Sequence, residues 1–384
     1  MSIKKYLEPV NYSKSKYITK PEFESLFCNI EKFDLKTKPE NLDKYDIALI
    51  GIPEDRNSKN TGCSLAPDII RNELYELYRP SGNENIIDLG NLKPGNKIKD
   101  TYIAISDIIE FLRNKNIIPV VIGGTNDLIS PIISAYKEKS KDITLCTIDS
   151  RLDFGEPENF NSETYLGKII NDCKNIDFRF IGIGYQTYYC SSRIIELLDK
   201  NLNDLVRLGK AQDDIVNTEY LIRDCDIFSI DVNSVRSSDA PGNYNASIHG
   251  FYGEELCQIA KYAGMSDKLS TFGIFEINPK FDTNNRTSKL AAQAIWHFIQ
   301  GYYKRRKEIP GVRSAMMKKL VVLVPDLEDQ EIIFYNSIGT GRWWFELPSD
   351  EQIKKIISCS YSDYTNATSA GEIPNKWWNE FRKK

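Results

Sequence analysis

The sequence predicts an α/β fold: a three-layer α/β/α sandwich around a mostly parallel, doubly wound sheet, extended by a C-terminal β-hairpin and a Trp-rich tail. Three observations carry that expectation. Eight short apolar runs recur through the middle of the 384-residue chain. Most are separated by stretches of helical periodicity, and strands alternating with helices imply crossover connections and a parallel sheet covered on both faces. Acidic or amide residues follow four of the runs directly, where sheets of this class place their ligands.

In chain order, residues 1–44 are polar and irregular and read as an arm over the body. The rhythm begins at Tyr45, and residues 45–307 read as one α/β domain. Its strand-like runs are 47–52, 86–89, 117–122, 143–148, 178–183, 205–208, 227–232 and 269–277. Amphipathic segments at 105–112 and 194–198 read as helices, and 290–303 is the strongest helical pattern. The rhythm stops after about residue 307. Runs at 320–324 and 331–335 flank a polar turn and read as the hairpin of a C-terminal unit spanning 308–384. That unit holds Trp343, Trp344, Trp377 and Trp378. Tryptophan buries a large area, so these four read first as anchors of the tail on the body and second as a surface for a protein partner.

Composition narrows the function classes. The net charge is −4 with both signs interspersed, which gives no basic footprint for nucleic acid. The run Lys304, Arg305, Arg306 and Lys307 ends a helical pattern, where cations complement the helix dipole. No apolar run reaches the ~18 residues of a membrane span, and the first residues show no secretory signal. The eight cysteines are scattered without a C-x-x-C spacing, which fits a reduced, cytoplasmic protein. Only two histidines are present, His249 and His297, so an imidazole-rich metal site is out of reach.

The site signal lies at the ends of the runs. After 117–122 come Gly123, Gly124, Thr125, Asn126 and Asp127. After 143–148 come Asp149, Ser150, Arg151, Leu152 and Asp153. Asp231, Asn233 and Arg236 follow 227–230, and Glu276, Ile277, Asn278 and Pro279 follow 272–275. Side chains alternate along extended chain, so Asp149, Arg151 and Asp153 share a side, as do Asp231 and Asn233. Gly123-Gly124 lacks a dinucleotide or Walker spacing and reads as a tight turn. There is no Gly-x-Ser-x-Gly elbow. Cys63 and Cys146 are the candidate nucleophiles, and neither has a histidine near it in sequence.

The order and spacing of these motifs resemble the ureohydrolases: the arginases, agmatinases and formimidoylglutamases. In that family the motifs run Gly-Gly-Asp-His-Ser, Asp-Ala-His-x-Asp and Ser-x-Asp-x-Asp-x-x-Asp-Pro, followed by a Glu in a Glu-x-Asn-Pro-type segment. The segment from Gly62 to Arg71 fits an early family pattern, and the similarity spans about 45–306. It resembles most the formimidoylglutamase-like proteins with a run such as Arg236 to Gly242 and a Trp-rich extension. The resemblance implies an arginase/deacetylase-like sandwich, a homo-oligomer, and two Mn²⁺ held by two His and four Asp. It also implies contact between Glu276 and a substrate guanidinium, and between Asn161 and the ligand's amino-acid end.

The departures decide the functional expectation. At the six ligand positions that the resemblance implies stand Asn126, Asp149, Arg151, Asp153, Asp231 and Asn233. A guanidinium has no lone pair for a metal. The expectation is therefore a pseudoenzyme with a structural, regulatory or binding role and no bound cofactor. Arg151 would pair with the carboxylates in place of ions, with Arg236 able to join. Two alternatives stay open. One is a shifted single-cation site using Asp127, Asp239, Glu254 or Glu276, since a hard cation needs only one or two carboxylates and water. The other is a hydrolase of a linear amidine or guanidine C–N bond through a rearranged site, with His249 as a lone base. The expected partners are a small amino-acid-like ligand, further copies of the chain, and a protein at the Trp-rich tail.

Overall fold

A computed structural model describes residues 3–10, 23–34, 39–82, 85–140, 142–200, 203–308, 310, 316–324, 331–348 and 355–381. Its strands are β1 (Leu7–Glu8), β2 (Glu31–Lys32), β3 (Ile47–Gly51), β4 (Ile86–Leu92), β5 (Ile118–Ile122), β6 (Asp142–Ile148), β7 (Asp177–Tyr185), β8 (Asp204–Arg207), β9 (Ile227–Asp231) and β10 (Thr271–Phe275). They form one ten-stranded sheet in the order β1-β4-β3-β5-β10-β9-β6-β7-β8, with β2 also on β4. Only β1 runs antiparallel to its neighbour. All eight apolar runs of the sequence are strands here. All but the edge strand β8, whose residues are only partly buried or exposed, are apolar stretches covered on both faces, as crossover connections require.

Two apolar layers follow from that arrangement. On one face, Ile70, Leu256, Ile259, Ile295 and Phe298 pack against Leu49, Val120, Phe228 and Phe272. They come from the helices Ala66–Glu76, Gly253–Met265 and Arg286–Tyr302. On the other face, Ile105, Ile109, Ile132 and Leu166 pack against Ile50, Val121 and Leu145. Those four belong to the helices Ile98–Asn114, Ile129–Lys137 and Tyr165–Asp172. Two of the first-face helices touch backbone to backbone. A Cβ on Gly264 would sit 2.1 Å from the Phe298 carbonyl oxygen, so only glycine fits that crossing.

One buried ion pair ties the early part of the domain together. Arg71 donates from Nε to Asp88 at 2.8 Å, with both side chains essentially out of water. The Arg71 Nη2 reaches the Gly90 carbonyl at 2.6 Å, and Tyr75 shares Asp88. The 62–71 segment thus includes a structural arginine buried against Asp88.

The arm is more than a cover, because β1 and β2 extend the sheet over β4. The C-terminal hairpin is two strands of a larger unit. β11 (Met317–Leu323), β12 (Glu331–Ser337), β13 (Trp343–Glu346) and β14 (Ile356–Cys359) form an antiparallel sheet in that order. The turn between β11 and β12 lies outside the described residues. Val322, Ile332, Phe334, Phe345 and Trp377 make a small core of their own. The unit meets the body through Trp344, which lies over Arg223 at 4.7 Å, and through Arg342, which pairs with Glu219 at 3.1 Å. Ser358 donates to Asp224 at 2.7 and 2.8 Å. Trp344 and Trp377 are buried, whereas Trp378 is exposed. Among the described residues, no helix is long and apolar enough to cross a membrane.

Candidate functional site

Strands β5, β10, β9 and β6 are consecutive neighbours in the sheet, so their carboxyl ends lie side by side. Each delivers its residues through a local device. Gly123 and Gly124 leave β5 at φ +81° and +76°, a conformation glycine adopts without strain. A Cβ on Gly124 would also sit 2.9 Å from the Ile52 carbonyl oxygen. Asp153 at φ +36° and Glu276 at φ +65° occupy positive-φ backbone without being glycine. Such strain persists where surrounding structure over-determines it, and it clusters at functional sites.

The result is a buried acidic cluster. Asp149, Asp153 and Asp231 each point a carboxylate oxygen into one region, all within 4.8 Å of one another. Asn126 sits among them. Its Nδ2 donates to Asp231 Oδ2 at 2.7 Å and to Asp153 Oδ2 at 3.2 Å. The Asn233 N–H donates to Asp231 Oδ1 at 2.7 Å, and the Arg151 N–H to Asp149 Oδ1 at 2.8 Å. Glu276 is held at both oxygens. Oε1 accepts the Asn126 N–H at 2.9 Å, and Oε2 accepts from Asn60 Nδ2 at 2.9 Å.

Burial dominates the electrostatics. It pushes Asp149 and Glu276 well above the usual carboxylate range, and the Asp231 charge adds to both. Burial and then Asp231 raise Asp153 to about 8. Burial raises Asp231 to about 6, opposed by the hydrogen bonds from Asn233 and Asn126. The positive charge of Arg151 acts on all three aspartates in the opposite direction. A cluster of this kind favours protons or a cation over three bare charges.

Arg151 departs from the expected salt bridges. Its guanidinium lies over the Tyr189 ring, 4.1 Å from the centroid, and its buried Nη1 has no partner. No ion pair joins it to any of the three aspartates among the described residues. The reason is local. The backbone N–H of Arg151, not its side chain, serves Asp149, and the turn Thr187–Tyr189 offers an aromatic face to the guanidinium. Arg236 stays apart as well. It pairs with Asp239 at 2.9 Å and lies over Tyr252 at 3.9 Å.

The remaining candidates fall outside the cluster. Asn161 closes its own turn, accepting from the Glu163 N–H at 2.8 Å and donating to the Asn159 carbonyl at 2.9 Å. Asp127 accepts from Thr125 at 2.6 Å and from the Tyr102 hydroxyl at 2.5 Å. Asp239 is committed to Arg236, and Glu254 is exposed. His249 is exposed, and among the described residues only its carbonyl oxygen is engaged, by Gln186 and Ser247. Burial raises the thiols of Cys63 and Cys146, which disfavours both as nucleophiles.

Sequence reasoning missed the groups that fix and cover the site. Asn60 orients Glu276 from 216 residues away and is itself held by Asn278 Nδ2 at 2.8 Å. Glu163 clasps two other loops, pairing with Lys59 at 2.6 Å and accepting from the Tyr244 hydroxyl. Only the Glu276 to Asn278 motif hinted at this framework.

The donor set is made of oxygen. Besides the three carboxylates, Asn126 Oδ1 and Asn233 Oδ1 are buried and have no partner. Carboxylate and amide oxygens suit hard cations, and no imidazole is within the cluster. Asp149, Asp153 and Asp231 are the residues that could hold such an ion.

Residues 45–300 match the model of the arginase family. The chain is 29% identical over 287 residues to a formimidoylglutamase of Staphylococcus haemolyticus, covering 71% of this chain and 90% of that protein. The fold is similar to the crystal structure of Bacillus subtilis formimidoylglutamase, with TM-score 0.67 and 20% identity over 77% of this chain and 97% of that one. It is similar as well to Trypanosoma cruzi formiminoglutamase bearing two Mn²⁺, with TM-score 0.65 and 20% identity over 73% and 99% of the two chains.

Proposed function

The chain belongs to the arginase family, and from that premise we propose that it is a member without two-manganese hydrolysis, a pseudoenzyme that binds a small cationic, amino-acid-like ligand. The observation that carries this reading is the Asn126 amide, whose Nδ2 donates to Asp231 and Asp153 at 2.7 and 3.2 Å. It occupies lone pairs that a metal would need, and Arg151 brings a permanent positive charge to the same cluster. The six ligands of a two-manganese site do not fit here, because Arg151 offers no lone pair. What persists is a buried acidic cluster beside Glu276, which is fixed at both oxygens. A guanidinium or amidinium presents several N–H donors to such carboxylates.

Metal analysis by mass spectrometry, after incubation with Mn²⁺ and desalting, tests the proposal together with assays for urea, formamide and ammonia. The expectation is well under two metal ions per chain and no product from arginine, agmatine or formimidoylglutamate. Two ions per chain with product release would refute it.

A second reading rests on the two orphaned amide oxygens beside three converging carboxylates. They favour a rearranged site in which Asp149, Asp153 and Asp231 hold one hard cation and Glu276 holds the cationic end of a linear amidine. The ion would supply Lewis acidity. This reading expects one equivalent of Mg²⁺ or Mn²⁺ by calorimetry, lost in Asp153→Asn.

A further inference from the structure

A cavity of about 990 Å³ opens near this site, and its lining has a different chemistry. It includes Arg207, Arg236, His249, Tyr188, Tyr252 and Gln212. The volume is at the upper end of the ~300–1,000 Å³ typical of small-molecule pockets. Glu255 is the one carboxylate in the lining, and it is committed to Gln212 and the Tyr252 N–H, both at 2.9 Å.

The donors are not committed in the same way. Arg207 ends β8 and is exposed, and no hydrogen bond or ion pair among the described residues uses its guanidinium. The His249 imidazole is exposed and unengaged among the described residues. Arg236 forms an ion pair with Asp239 at 2.9 Å and lies over Tyr252 at 3.9 Å, and no hydrogen bond among those residues uses its Nη groups. The lining therefore holds two guanidiniums against one carboxylate, in a chain whose net charge is −4. Its aromatic walls are accessible, with Tyr188 64% and Tyr252 41% exposed.

We infer that this groove binds a phosphate group carried on a flat ring, as in a nucleoside monophosphate. Guanidinium donors match phosphate oxygens, and a phosphate monoester carries about −1.5 to −2 charges near pH 7. Arg207, Arg236 and His249 come from three separate places in the chain. Such donors converge better on a tetrahedral dianion than on a planar carboxylate. Tyr188 supplies a face on which a base stacks, and one face of Tyr252 already carries the Arg236 guanidinium at 3.9 Å. The inference goes beyond the proposed function of the acidic cluster and does not depend on it. The two regions do share a turn, since Tyr188 lines the groove while its neighbour Tyr189 carries the Arg151 guanidinium.

Calorimetric titration of the full-length protein with AMP, inorganic phosphate and adenosine tests the inference. AMP should bind, phosphate should bind at least tenfold more weakly, and adenosine more weakly still. Arg207→Gln removes an exposed, unpartnered side chain and should weaken AMP about tenfold or more, while Arg207→Lys retains part of the affinity. His249→Ala should weaken it less. Glu276→Gln should leave AMP binding unchanged, which separates this groove from the acidic cluster. Absence of AMP binding, equal affinity for AMP and phosphate, or AMP binding indifferent to Arg207→Gln would each overturn the proposal.

Discussion

The guanidinium of Arg151 lies 4.1 Å from the centroid of the Tyr189 ring. The cation is thereby held at the edge of the aspartate cluster, close enough to act on all three carboxylates without bonding to them. A cation over a half-exposed tyrosine contributes ~0.5–1 kcal/mol. Tyr189→Ala should cost about that much in urea denaturation, and Tyr189→Phe almost nothing. An equal loss in both variants would show that the ring face is not what holds Arg151.

Asn126→Asp would exchange a two-pronged donor for a fourth carboxylate beside three others. Losing hydrogen bonds to buried acceptors costs on the order of 1–3 kcal/mol, before any repulsion is added. The variant should be less stable than the parent in chelator at pH 8, and Mg²⁺ or Mn²⁺ should restore more of its stability than the parent gains. Stability equal to the parent in chelator would show that the amide bridge holds nothing.

Arg71→Leu removes one half of a fully buried ion pair and leaves Asp88 uncompensated. Breaking such a pair costs about 3–5 kcal/mol. The variant should unfold at markedly lower urea, whereas Asp68→Asn, which alters the exposed partner of Arg71, should be nearly neutral. Similar midpoints for both variants would contradict the buried pair.

His297 gives a pH signature. Burial and then the nearby Lys261 hold its imidazole below its ordinary value. The unfolded chain then binds the proton more readily. The stability tied to the neutral ring is complete above the unfolded pKa of ~6.5 and is lost as pH falls through that value toward the folded one. His297→Gln should flatten the decline of the denaturation midpoint between about pH 7 and 5. An unchanged slope would assign that decline to other groups.

Much of this was legible because it is local. Apolar runs with a polar or glycine stop mark strands that are covered on both faces, and residues at strand ends can be read without knowing the sheet order. The direction of the Arg151 side chain was not legible, because it depends on Tyr189 from another strand end. Asn60 was invisible for the same reason, with its partner 216 residues away. The strands β1 and β2 are two residues each, too short for any periodicity. β13 and β14 are set by cross-strand pairs such as Trp344 with Ser358, which no run of residues announces.

The small C-terminal sheet ends on β11, whose far side pairs with no described strand. Val321 and Leu323 are exposed on it, 51% and 64%. A row of free backbone donors and acceptors beside exposed aliphatic groups is a template for aggregation. Lys318 and Lys319 stand exposed on the same strand. Their charges repel an incoming strand, so neutralising them by acetylation would turn this edge into a nucleus for self-association at high concentration.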